Sequence, residues 1–99
     1  MRVAQVIGTV TLSRLHPSLK GGRFALAVPL SLDNLLGRAE AGAEELVVYD
    51  LLGAAEGCRI AISEGGEAAQ PFGDEMKPVD AYNAAILDSV DVDEEERLA

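Results

Sequence analysis

The chain has 99 residues, 48% hydrophobic and 25% charged, with a formal net charge of −9. This is the length of one domain and the composition of a folded protein, not of a disordered one. The negative balance opposes phosphate backbones, which bind through Lys and Arg, and no window reaches the roughly 20 apolar residues of a membrane-crossing helix; neither nucleic acid nor a membrane is an expected partner.

A chain this short buries only roughly 65% of the surface its unfolded form exposes, so a partner subunit would help it. With aromatics at 4% and no Trp, the core must be built from Val, Ile, Leu and Ala. Cys58 is the single cysteine and cannot form an internal disulfide. The first residues lack the basic start and apolar run of a secretion signal, and the expected compartment is the cytoplasm.

Residues 3 to 13, "VAQVIGTVTLS", alternate as a strand. Ala4, Val6, Val10 and Leu12 fall on one face, the core side, and Val3, Gln5, Ile7, Thr9 and Thr11 on the other. Gly8 interrupts the run in the manner of a bulge or sharp bend. "RFALAVPL" is a second strand, with Phe24, Leu26, Val28 and Leu30 on one side and the small Ala25 and Ala27 on the other. Between them, "HPSLKGGRF" reads as a hairpin reversal in which Gly21 or Gly22 takes the positive φ of a tight turn.

"SLDNLLGRAEAGAEE" has one or two helical turns, with Ser31 or Asp33 as the N-cap and Gly37 or Gly42 as the stop. "ELVVYDLLG" and "CRIAISEGG" are β-branched runs bounded by glycine, the third and fourth strands. A short helical turn is expected at Glu67 to Gln70, and "NAAILDSVDV" is the fifth strand. The expected fold is a mainly β, five-stranded OB-like Greek-key barrel with one or two short helical segments. Residues 1–92 form that domain, and 93–99 an acidic tail, solvated or available for interaction.

Chemistry is sparsely provided. His16, the single histidine, lies in the first turn, and Cys58 alternates with Ile60 and Ile62, where a free cysteine acts as a small apolar residue. One His and one Cys fall short of a zinc set, and "DSVDVDEEE" lacks the glycine of a calcium loop. Neither "GGRF" nor "GAAEGC" has the lysine or strand-to-helix context of a phosphate loop. No catalytic residue, cofactor or metal is expected, and the chain is not read as an enzyme. The rival reading is an OB-type binding module for an oligonucleotide or peptide, although Phe24, Tyr49, Phe72 and Tyr82 are too scattered to make a stacking platform.

Three stretches carry a family resemblance: "VIGTVTLSRLHPSLKGGRFALAVPL", "LVVYDLLGAAEGCRIAISEGGEAA" and "KPVDAYNAAILDSVDV". In that order they resemble the vertex proteins of bacterial microcompartments, the EutN/CcmL type. Ala55 stands where the family often has a glycine, and the run from Glu64 to Ala69 lacks the arginine common there. The resemblance implies a homo-pentamer that caps the five-fold vertices of a shell in the bacterial cytoplasm, docked to hexameric shell proteins. A catabolic compartment is the expected setting. The same resemblance, with the outward positions of the first strand, points to Val3, Ile7, Asp50, Gly53, Ala54, Gly57, Ser63, Gly65, Gly66, Pro78, Val79 and Asp80 as subunit contacts or five-fold axis loops.

Overall fold

The computed structural model describes residues 1–65 and 79–92. It contains five strands: β1 (Arg2–Val10), β2 (Arg23–Pro29), β3 (Leu46–Asp50), β4 (Arg59–Glu64) and β5 (Ala81–Leu87). They close into a barrel in the order β1-β2-β3-β5-β4, the arrangement of an OB-like Greek key. Neighbours run antiparallel except β3 and β5, whose single register pair, Tyr49 with Tyr82, is parallel. Among the described residues every strand has two neighbours, so none of these strands leaves an open edge to template another chain.

A barrel of five strands is narrow, and its interior admits mostly small or β-branched side chains. The core is Ala4, Val6, Ala25, Ala27, Val48, Ala54, Ile60, Ile62 and Ala81. In β2 the alternation therefore resolves with Ala25 and Ala27 inside, while Phe24, Leu26 and Val28 lie half-buried on the outside.

β1 departs from the sequence expectation in two ways. It ends at Val10 and not at Ser13, leaving Leu12 exposed. Its register also shifts between Val6 and Gly8: Val6 faces Ala27, but Gly8 faces Leu26 and Val10 faces Phe24. One extra residue exchanges the two faces of a strand. Val10 thus leaves the face of Ala4 and Val6 and joins the outer face beside Phe24.

The β1–β2 connection contains a 3-10 turn, Pro17–Leu19, capped by His16, and Gly21 has φ 93°. Gly22 has a different reason to be glycine, since a Cβ there would collide with the ring of Tyr49. The helix is a single turn, α1 (Leu32–Leu35). Ser31 Oγ accepts from the Asn34 amide at 3.2 Å while Asn34 Oδ1 accepts from the Ser31 amide at 2.9 Å, a reciprocal capping box. Gly37 (φ 74°) ends it, with the Gly37 amide donating to Asn34 and the Arg38 amide to Asp33, the pairing of a Schellman stop. β5 begins two residues before the expected run and stops at Leu87. The turn expected at Glu67 to Gln70 lies outside the described residues.

A candidate subunit-contact surface

The residues singled out for contact fall into three places. At one end of β4, the β3–β4 turn is organised by Asp50, which is 2% exposed. Its Oδ1 accepts from the amides of Leu52 (2.9 Å) and Gly53 (3.2 Å) and from Asn83 Nδ2 (3.0 Å), and its Oδ2 accepts from the amide of Ala54 (2.8 Å). Four donors on one carboxylate satisfy a charge that burial would otherwise make costly. Asn83, fully buried, accepts the Ala85 amide with its other atom, Oδ1.

Gly53 and Gly57 take positive φ within this turn (79° and 91°). The turn is bound to β1 by the Gly57 amide donating to the Val6 carbonyl and the Val6 amide donating to that of Cys58, both 2.8 Å. Asp50 and Ala54 are thus buried inside the chain and shape the turn. The turn presents outward Leu51 and Leu52, each 49% exposed, beside the exposed Ala55 and Glu56.

At the opposite end of β4, Ser63, Gly65, Val79 and Asp80 come together. The Gly65 amide donates to the Asp80 carbonyl at 2.8 Å, and Gly65 has φ 65°. Gly66 and Pro78 lie outside the described residues. Close by, Arg2 joins β1 to the end of β4 through a two-pronged pair with Glu64, Nη2 to Oε2 at 2.8 Å. The hydrogen bond from Arg2 holds the Glu64 carboxyl below its ordinary range, and the same bond raises Arg2.

Val3 and Ile7 occupy the third place, the outer face of β1, half-buried and exposed respectively. The outer positions of β2 and β3 continue this face, with Leu26 opposite both Gly8 and Val47.

His16 is not set up as a base. Its Nδ1 accepts from the Ser18 amide at 3.2 Å and lies 2.7 Å from Ser18 Oγ, which makes it a turn cap. Among the described residues no three His, Cys, Asp or Glu side chains are grouped to hold a metal ion. The sequence reading missed Asn83 as the partner of Asp50 and Leu51–Leu52 as exposed apolar surface. A signal for Asn83 exists: it shares the strand phase of Ala81, an odd place for an amide without a buried partner.

A small closed five-stranded barrel with a buried, hydrogen-bonded carboxylate at one end and an apolar row of Gly8, Leu26 and Val47 outside defines an OB-like module. The comparisons with known proteins narrow this class. The family described as ethanolamine utilisation protein EutN/carboxysome matches residues 1–88, and the chain belongs to that family. It is 36% identical over 95 residues to the carboxysome shell vertex protein CcmL of Nostoc sp., covering 95% of this chain and 89% of that protein. The structure of CcmL from Gloeobacter violaceus matches with a TM-score of 0.79 at 32% identity, covering 94% of this chain and 91% of the other. GrpN, a pentameric microcompartment shell protein from Rhodospirillum rubrum, matches with a TM-score of 0.75 at 27% identity, covering 93% and 99%.

Proposed function

We propose that the protein is a structural shell subunit that assembles into homo-pentamers and closes the five-fold vertices of a bacterial microcompartment in the cytoplasm, against hexameric shell proteins. The observation that supports it most is the near full-length similarity to a carboxysome vertex protein together with the likeness to a pentameric shell protein. Hexagonal tiles alone make a flat layer, and five-fold tiles supply the curvature that lets a shell close. The named relatives are shell proteins, and we read no reaction for this chain.

A ring of five is a heterologous assembly, in which one patch on each copy meets a different patch on the next. Closure of the barrel removes edge pairing as a route, so faces and loops must serve. The contacts we assign are Val3 and Ile7 on β1, the turn shaped by Asp50, Gly53, Ala54 and Gly57, and the end containing Ser63, Gly65, Val79 and Asp80, with Gly66 and Pro78 added from the family resemblance alone. Residues 1–92 form the assembling domain, and 93–99 an acidic appendage to it.

The cargo we propose is that of a catabolic compartment, as the sequence reading has it. The family description, which names ethanolamine utilisation beside the carboxysome, is its support, and the carboxysome CcmL relatives weigh against it. Identification of the enzymes enclosed with the tagged protein decides: a carbon-fixing enzyme among them would overturn the catabolic assignment.

The assembly itself is tested by native mass across a dilution series, followed by co-assembly with hexameric shell tiles. A five-copy particle that joins those tiles is the expected result. A single-copy mass throughout would overturn the vertex reading.

A further inference from the structure

Charge is divided unevenly along this chain. All 17 acidic residues lie from Asp33 onward, while Arg2, Arg14, Lys20 and Arg23 precede it. Arg14, Lys20 and Arg23 belong to the β1–β2 connection and the first residue of β2, are exposed, and make no ion pair among the described residues. The acidic residues are densest at the other end of the chain, where Asp91, Asp93, Glu94, Glu95 and Glu96 come just before Arg97 and Leu98.

Beside those cations lies an open cleft of about 390 Å³, lined by Val10, Leu12, Leu15 and Phe24 together with Arg23. Leu12 and Leu15 are 39% and 46% exposed. Apolar surface next to unpaired positive charge is complementary to a segment that carries carboxylates and an apolar side chain close together.

We propose that the chain's own C-terminal segment, 93–99, covers this cleft, with Glu94, Glu95 and Glu96 facing Arg14, Lys20 and Arg23, and Leu98 against the apolar lining. Charge complementarity selects the occupant, and the topology brings it near. β5 runs in the same direction as β1, both being antiparallel to β4, so the chain leaves β5 at the end of the barrel where β1 gives way to its loop. Leu87 stands opposite Arg59, and Arg59 opposite Gln5. Two strand spacings across, and the run from Gln5 to Val10 along β1, separate Leu87 from the cleft by roughly 20 Å. Residues 88 to 98 can span up to roughly 35 Å. The family match ends at residue 88, before this segment begins, and the inference is independent of the pentamer reading.

The test traps the contact in the full chain. Thr11→Cys with Leu98→Cys, in a Cys58→Ser background, is oxidised beside a control pair, Leu32→Cys with Leu98→Cys, whose first position lies on α1 beyond the opposite end of β2. Circular dichroism reports that each barrel is folded. At low salt the cleft pair should link within one chain about tenfold faster than the control, and high salt or Glu94→Lys with Glu95→Lys and Glu96→Lys should remove that advantage. Equal rates for the two pairs would overturn the inference, and links formed between chains would overturn the assignment to the chain's own segment. Hydrogen exchange decides without any cysteine: amides 94 to 98 should be slowed in the unaltered protein and quickened by Arg14→Glu with Lys20→Glu and Arg23→Glu. Unprotected exchange there in the unaltered protein would also overturn it. A single-copy native mass, which would overturn the vertex reading, leaves this contact standing.

Discussion

The inner and outer faces of the same three strands obey different rules. Inside, the walls are Ala4, Val6, Ala25, Ala27 and Val48, all essentially inaccessible. Outside, the alternating positions hold Ile7, Leu26, Val28 and Val47, larger side chains left in partial contact with water. Burying a Leu or Ile is worth about 1.5–3 kcal/mol, but exchanging the two faces would overfill the narrow interior of a five-stranded barrel. The difference teaches that the inside answers to the radius of a five-stranded barrel, whereas the outer positions are free of that limit.

The comparison is broken most sharply by truncating one side chain from each face. Ile62→Ala, in the core, should lower stability by about 2–5 kcal/mol, read by urea unfolding. Val47→Ala, on the outer face, should cost less than about 1 kcal/mol in dilute subunit, as surface changes generally do. That cost should grow as subunit concentration rises, because association stabilises the folded copy by mass action. Equal costs at all concentrations would mean that the two faces are not distinct in kind.

A smaller effect is expected where the core meets the β3–β4 turn. Asp50→Ala removes the acceptor of three backbone amides and of Asn83, a loss of about 2–3 kcal/mol. Hydrogen exchange at Leu52, Gly53 and Ala54 should speed up before the barrel opens. Asp50→Asn keeps one acceptor and should fall between. If exchange at those amides were unchanged in Asp50→Ala, the carboxylate would not be what holds Leu51 and Leu52 in place.

The smallest effect belongs to the exposed Arg2–Glu64 pair. Arg2 lowers the folded-state pKa of Glu64. Its contribution is therefore present above the unfolded glutamate value, about 4.3, and is lost as pH falls through the lower folded value. With half of the Arg2 side chain and a third of that of Glu64 accessible, screening limits it to about 0.5 kcal/mol. Glu64→Gln should be destabilised by that amount near neutral pH and converge with the unaltered protein in acid. A difference that persisted in acid would point to packing and not to charge.

Much of the fold was legible because its signals are local. β2, β3 and β4 were read from runs of alternating or β-branched residues, and the irregularity at Gly8 from a glycine interrupting such a run. Ser31 and Gly37 were among the cap and stop residues offered for the helical turn. The phase of β1 beyond the bulge was misread because alternation was carried through it, and Val10 was assigned to the wrong face. In β2 both phases are apolar, so the pattern could separate two faces without saying which was inside.

The candidate surface was legible only in part. Ile7 could be placed outward from the strand phase alone. Asn83 lies 33 residues from Asp50, and no local pattern joins them. Gly22 was read as part of a turn, whereas it clears space for Tyr49, which lies on another strand.

By itself the sequence determined the number of strands, their approximate positions and the turns between them, since backbone preferences act over a few neighbouring residues. Only the tertiary structure decided which alternate face filled the barrel, which carboxylate was buried and satisfied, and which glycine had to clear the ring of Tyr49. Those outcomes depend on a closed surface of fixed radius and on groups brought together across the chain, and closure is a property that no short stretch possesses.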